Sequence, residues 1–479
     1  MTIQQDIAAL TTAVDNMTAA VVDDATTRQQ AVQAAQTAAT EAAGAAETKV
    51  AEAMEGLGSV PITPTGSPVS DTLGNILAAS QPILPTMAAL GDSITDQSTI
   101  IGTNSVSFSP RGFLTWFRFY TRQRFHFPAS NNFGVPGDKT YDMVQRLPAV
   151  IAAAPGLCHI PAATNDVNSG VEVQDTIDNL TEIYDALYKN GTVVFAYLIL
   201  GRSGANAFSA LQLKKANAIN SWIKAQGRIR RNFYVVDCGT VFDDPAAPTW
   251  TDRTGYTTDG LHPANIGARA IGRRAADIAD KVFPDWFYSV TNQSDLYDPG
   301  ENPRGNLVPN GMFNGGTTVA TSWTFNTSSM GGGVATASKV TLADGRPGQK
   351  IALSGAATGS NLGPHLQANL TTGSFQAGDE LEASVEVILN NLVGALSVTT
   401  ELWTVENGTN YWVRDFERVA TVPFPTAADA GVMLTPRRKL IANPSAMYLF
   451  LYVRFMSPAS SLAVSGDVTF ASASVRKAN

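Results

Sequence analysis

The chain has 479 residues, more than a single core organises, so two or three domains are expected. Hydrophobic residues make up 44%, enough for globular cores, whereas 15% are charged and the 40 glycines imply many turns. The net charge of -8 with no basic stripe argues against a nucleic-acid partner, no run of ~18 apolar residues is present to span a membrane, and two cysteines exclude a disulfide scaffold or a cysteine-based zinc site.

Residues 1–57 read as helix. Ile3, Ile7, Leu10, Val14, Met17 and Val21 form a heptad seam, which Asp24 and Arg28 interrupt. Ala31, Ala35, Ala38, Ala42 and Ala45 then carry the register on, and Val50, Met54 and Leu57 follow after a phase shift. Alanine at seam positions buries little area, so the coil would be weak alone. The stretch is long and lacks the large residues of globular docking. An intermolecular coiled coil is therefore expected here, rather than a helix packed on its own domain. The heptad does not settle trimer against dimer. No basic segment followed by an apolar stretch marks a secretory signal.

Residues 58–83, rich in Pro, Gly, Ser and Thr, read as a linker. From 84 to 290 strand-like runs (Met87–Leu90, Leu157–Ala162, Val193–Leu200, Phe233–Asp237) alternate with helical patterns (Arg111–Arg124, Leu211–Gln226, Ile266–Phe283). Such alternation predicts a parallel sheet covered by helices on both faces. Cys158 and Cys238 sit in apolar stretches and read as buried free thiols on neighbouring strands. Residues 291–303 read as a second linker. Residues 304–479 turn to Thr, Ser, Gly and Asn with period-two alternation, as in Leu381, Ala383, Val385, Val387 and Leu389, which predicts a β-sandwich.

Four motifs carry chemistry. Gly91-Asp92-Ser93-Ile94 follows an apolar strand and presents a serine on a tight turn. Asn132 through Asp138 contains Gly137, whose missing Cβ lets its N–H approach a substrate. Thr164-Asn165-Asp166 puts a carboxamide past a strand end. In Asp259-Gly260-Leu261-His262-Pro263 a three-residue turn can fold the carboxylate onto the imidazole, fixing its tautomer and freeing the other nitrogen for a serine proton. A nucleophile, oxyanion donors and an acid–base pair are together what ester hydrolysis needs. His159 lies inside an apolar run and reads as core. The aromatic stretch Phe113 to Phe127 reads as a helix packed behind the nucleophile strand. Trp250 and Tyr256 flank the acid–base turn and are candidate sugar-stacking residues, with loop packing as the alternative.

In this order the four blocks resemble those of the SGNH (GDSL-like) hydrolases, over residues 84–285. The resemblance implies a three-layer α/β/α, flavodoxin-like domain with an open site at the strand ends. It implies Ser93 as nucleophile, His262 as general base and Asp259 as its orienting partner, with an oxyanion hole from the Ser93 and Gly137 N–H groups and the Asn165 side chain. No metal or cofactor is implied. An α/β-hydrolase would share the Ser, Asp, His order, but no Gly-x-Ser-x-Gly elbow surrounds Ser93. Two departures bear on efficiency. Ala163 stands where the family usually has glycine, and Pro136 precedes Gly137 where a small polar residue is common.

The segment opening with Asn306-Leu307-Val308-Pro309-Asn310-Gly311-Met312-Phe313, then Trp323, and closing with Val464–Val475 resembles jelly-roll carbohydrate-binding modules. An Ala-rich coil ahead of an enzyme domain resembles phage tail fibres and tailspikes. Together these suggest an esterase that removes O-acetyl groups from host capsule or O-antigen. It would sit in the virion as a homo-oligomer, a trimer by family analogy, with other tail proteins as partners, and act at the bacterial surface. A non-virion, extracellular carbohydrate esterase and a binding-only fibre with an inactive hydrolase fold are the other two readings.

Overall fold

A computed structural model describes residues 86–283, 290–327, 332–357, 363–373, 375–419, 422–455 and 462–478. The expected coiled coil at 1–57 and the linker at 58–83 lie outside the described residues.

The first part of the described chain alternates strand and helix: β1 (Met87–Gly91), α1 (Ser93–Asp96), β2 (Thr99–Gly102), β3 (Ser105–Phe108), α2 (Phe113–Tyr120), β4 (Asn132–Gly134), α3 (Thr140–Ala152), β5 (Leu157–Pro161), α4 (Thr164–Ser169), α5 (Val173–Lys189), β6 (Val193–Tyr197), α6 (Ala210–Ile229), β7 (Phe233–Val236), α7 (Gly239–Phe242) and α8 (Asn265–Val282). Five strands pair in parallel in the order β4-β1-β5-β6-β7. Parallel strands buried on both faces need near-continuous apolar runs, and Met87-Ala88-Ala89-Leu90 is one. Met87 and Ala89 join the core under α2 and α8, whereas Ala88 and Leu90 join the core under α3, α5 and α6. Strand order reverses at β1, so the ligand crevice of such a sheet falls at the carboxyl end of β1, where Ser93 sits.

The two cysteines are free and buried, and burial pushes both thiols well up. Their expected placement on neighbouring strands is corrected. Cys158 is on β5 and Cys238 follows β7, with β6 between them, and they join cores on opposite faces of the sheet.

The remaining strands are β8 (Thr324–Asn326), β9 (Gly333–Thr341), β10 (Pro347–Ala357), β11 (His365–Asn369), β12 (Glu380–Val393), β13 (Ala395–Glu406), β14 (Thr409–Asp415), β15 (Ala428–Leu434), β16 (Arg438–Lys439), β17 (Pro444–Phe455), β18 (Leu462–Ala463) and β19 (Ser465–Lys477). They form two seven-stranded sheets, one running β15-β12-β19-β10-β18 with β16 and β9 at its sides, the other β2-β3-β14-β13-β17-β11-β8. Leu381, Ala383, Val385, Val387 and Leu389 point inward from β12, as period-two alternation requires.

The second sheet borrows its edge. The β2–β3 hairpin, immediately downstream of the nucleophile turn, adds β3 in parallel to β14 with Val106 opposite Val413. Helix α2 lies between the two parts, and every one of its side chains is buried. Phe113 and Phe117 face the parallel sheet through His159 and Tyr197, while Trp116 packs edge-on against Phe416 at 4.7 Å. Arg118 is buried beside Asp415 at 3.8 Å and donates to the Leu434 carbonyl at 2.8 Å. One apolar core therefore runs from the parallel sheet through α2 and α8 into the sandwich.

Candidate active site

The serine is delivered by β1. Asp92 caps the short helix that follows, its Oδ1 accepting from the Ile94 N–H at 2.9 Å, which leaves Ser93 as the first helical residue. The N–H groups at a helix start have no partner within the helix, so that of Ser93 is a ready donor. Its hydroxyl meets His262 Nε2 at 2.8 Å.

The imidazole stands on a turn whose geometry is set locally. His262 Nδ1 lies 2.7 Å from Asp259 Oδ2, and Asp259 Oδ1 accepts from the backbone N–H groups of Leu261 at 3.0 Å and His262 at 2.8 Å. Gly260 has φ +84 and touches Ser203 so closely that a Cβ would lie 2.0 Å from the Ser203 carbonyl oxygen. The Ser203 N–H returns a bond to Gly260 O at 3.0 Å, and Asn206 Nδ2 donates to Asp259 O at 2.9 Å. Burial pushes the Asp259 carboxyl up, but the hydrogen bonds from His262 and Leu261 outweigh it and hold the group below the usual carboxylate range. An ionised Asp259 selects the tautomer with hydrogen on Nδ1, so Nε2 accepts the Ser93 proton.

The two other candidate donors stand on a turn, Gly137, and in the first turn of α4, Asn165. Val135-Pro136-Gly137-Asp138 is a turn closed by Asp138 N–H to Val135 O at 3.2 Å, with Gly137 at φ +86. Pro at the second position and a positive-φ Gly at the third define a type II turn, whose middle peptide is free of the closing bond. Pro136 thus presets the conformation that Gly137 needs. A Cβ on Gly137 would meet nothing within 4 Å, so this face of the turn is open. Asn165 donates to the Asp138 carbonyl at 2.9 Å, and a primary amide has a second hydrogen to offer. Ala163, at the family's glycine position, has φ +72 and caps α4, the helix that carries Asn165.

Four further residues organise the site and were not assigned roles from the sequence. Arg146 on α3 donates to Gly91 O at 3.1 Å and to Phe133 O, and pairs with Asp138. Asp166 is buried and accepts from Thr140 N–H at 3.0 Å and Thr140 Oγ1 at 2.5 Å, joining α3 to α4. Arg202 is buried, donates to Thr164 O at 2.5 Å and to Thr164 Oγ1, and is pulled down to about 10 by burial against the countering charge of Asp92. Asp92 is pushed up to about 6, chiefly by burial. A lone helix arginine such as Arg146 looks in sequence like any solvated one. Asp92 and Asp166 do stand inside the motif blocks, and that adjacency was the available signal.

The aromatic candidates are occupied in packing. The Trp250 ring stacks on Phe208 at 5.4 Å with its Nε1–H on Asp243 at 2.5 Å, and Tyr256 packs edge-on against Phe242 at 5.8 Å. His159, read as core, is wholly buried, with Nδ1 2.7 Å from the Tyr197 hydroxyl, and burial lowers it to about 3. Among the described residues no cluster of His, Cys, Asp and Glu could hold a metal ion.

Residues 89–270 match the GDSL-like Lipase/Acylhydrolase family. This part of the chain is a GDSL-like acylhydrolase domain. Acylhydrolases of this family hydrolyse esters, and the serine, imidazole and carboxylate just described lie within the matched span. No curated protein matches the chain. Among solved structures, a GDSL-like lipase from Bacteroides thetaiotaomicron shares 17% identity over 44% of this chain and 98% of its own, with a TM-score of 0.33. A member of the lipolytic G-D-S-L family from Veillonella parvula shares 17% over 40% and 97%, with a TM-score of 0.31. A carbohydrate esterase family 3 protein from Talaromyces cellulolyticus shares 20% over 41% and 97%, also with a TM-score of 0.31.

Proposed function

We propose that the chain is a serine esterase that removes O-acetyl groups from a bacterial surface polysaccharide, capsule or O-antigen, as part of a phage tail spike or fibre. Ser93 is the nucleophile, His262 the general base and Asp259 its orienting partner. The Ser93 and Gly137 N–H groups and the free amide hydrogen of Asn165 receive the oxyanion. The observation that carries the esterase reading is the unbroken hydrogen-bonded line from Ser93 Oγ through His262 to Asp259. In the reaction Ser93 Oγ attacks the ester carbonyl as its proton passes to Nε2. The imidazolium then returns that proton to the leaving sugar oxygen, and water repeats the sequence on the acyl-enzyme.

A polymeric substrate is supported by the openness of the site. The Asp259 side chain is 47% exposed, and Gly137 stands on an exposed turn. No long apolar lid is evident in the sequence, which weighs against a lipid substrate. The virion setting is supported by the Ala-rich heptads of residues 1–57 ahead of an enzyme domain. An oligomer, trimeric by analogy, would form through them.

Acetate release from a panel of acetylated bacterial polysaccharides tests the activity, with Ser93→Ala as control. Release by the wild type alone is expected. A wild type that releases none while binding the polysaccharide would replace the enzyme with a binding fibre. Immunogold labelling of phage particles tests the setting, and unlabelled particles would point to a non-virion carbohydrate esterase.

A further inference from the structure

Both segments that meet at the Ser93–His262 contact are fastened to the sandwich. Asn265, three residues past His262, opens α8 and is fully buried. Its carboxamide is not used to cap its own helix. Instead Nδ2 donates to the sandwich, to Val422 O at 3.1 Å and Pro423 O at 3.0 Å. One turn on, Arg269 grips the nearly buried Asp429 carboxylate, through Nε at 2.6 Å and Nη2 at 2.8 Å. On the nucleophile side, the chain leaves α1 and runs directly into the β2–β3 hairpin, whose β3 is a strand of the sandwich sheet.

We propose that the sandwich segment 422–429 holds the His262 imidazole in line with Ser93, with Asn265 as the positioning residue. The inference rests on the esterase reading above. The sandwich is then a working part of the catalytic unit and not a detachable module. Two amide hydrogen bonds fix the start of α8 across its axis, and the bidentate pair one turn later fixes its rotation. His262 is joined to that start by two residues, Pro263 and Ala264, so a displacement of α8 pulls on the turn that carries the ring. The transfer of the serine proton is steep in geometry, and a misplacement of about 1 Å can cost ~10²-fold in rate.

The test uses the full chain and p-nitrophenyl acetate, a probe too small to reach the sandwich. Asn265→Ala is expected to lower kcat by roughly 10- to 100-fold per folded molecule, with KM nearly unchanged. A fluorophosphonate should label its Ser93 more slowly by a similar factor. Asp429→Asn, which keeps the shape and removes the charge, should show a smaller fall of the same kind and decides the matter if Asn265→Ala does not fold. A merely structural role would lower the melting temperature and leave kcat per folded molecule intact, and that result in an active protein overturns this inference alone. A wild type inert to both probes would overturn the esterase reading, and this inference with it.

Discussion

Arg146 holds Asp138 by its side chain, from Nε at 2.9 Å and Nη2 at 2.5 Å, while the Asp138 backbone carbonyl holds the Asn165 amide at 2.9 Å. The same guanidinium reaches Gly91 O, two residues before the nucleophile. One planar group therefore ties the end of β1 to the turn that carries Gly137 and holds Asn165, which together bear the proposed oxyanion donors. A lysine could satisfy only part of this fork. Arg146→Lys is expected to lose about ten-fold in kcat and Arg146→Ala about a hundred-fold, because small donor displacements are costly at such sites. Steady-state kinetics on a small acetyl ester checks both, and an Ala variant with wild-type kcat would count against the clamp.

In the proposed oxyanion hole Asn165 is the one side-chain donor, the other two being backbone groups. Asn165→Ala should reduce kcat by ~10²- to 10³-fold with little change in KM, the range for loss of one such donor. Asn165→Asp should be no better, since a carboxylate repels the developing charge. A fall confined to KM would show that the side chain only binds substrate.

Ala163 sits in the left-handed region at φ +72, where an L side chain costs ~1–2 kcal/mol. Ala163→Gly relieves that strain but gives the unfolded chain more freedom, at ~0.5–1 kcal/mol. The expected net effect is a stabilisation of up to about 1 kcal/mol in urea unfolding, against the usual destabilisation by glycine. A loss of 1 kcal/mol or more would mean that the Cβ makes contacts that outweigh its strain.

Asp92 is buried, and its carboxyl is raised from 3.8 to about 6, chiefly by burial. Between those values the folded state binds more protons than the unfolded state, so stability falls as pH rises through this window and levels off above it. The shift corresponds to about 3 kcal/mol as an order of magnitude. Asp415 is raised to about 6 in the same way, so the wild type should show both contributions. Asp92→Asn keeps an acceptor for the Ile94 N–H and removes one contribution. The wild-type unfolding free energy minus that of Asp92→Asn should fall from pH 4 to 6 and then stay constant; a difference that does not vary with pH would contradict the shift.

Local patterns in the sequence carried much of the fold. The strand-like runs at Met87, Leu157, Val193 and Phe233 are four of the five strands of the parallel sheet, marked by their apolar residues, whereas the short edge strand β4, half-buried throughout, carried no such run. The alternation through Leu381 to Leu389 likewise marks β12. The motif order named the residues that meet in the Ser93–His262–Asp259 line, though a motif cannot say that Gly260 clasps Ser203 or that Arg146 joins β1, β4 and the Asp138 turn. Long-range pairing was illegible. Thr99–Phe108 carries little period-two pattern, and its partner β14 lies some three hundred residues on. Six of the eight side chains of α2 are apolar, which announced burial, but nothing in the sequence revealed that a second layer covers its far side and supplies Asp415 to Arg118.

Chemistry at Ser93 is most directly tested by reacting the full chain with a fluorophosphonate and mapping the adduct by mass spectrometry. A single adduct on Ser93 is expected, slowed severely in His262→Ala and at least ten-fold in Asp259→Asn, as loss of the base and of its tautomer control requires. An adduct elsewhere, or one that forms on Ser93 at the wild-type rate without His262, would contradict it.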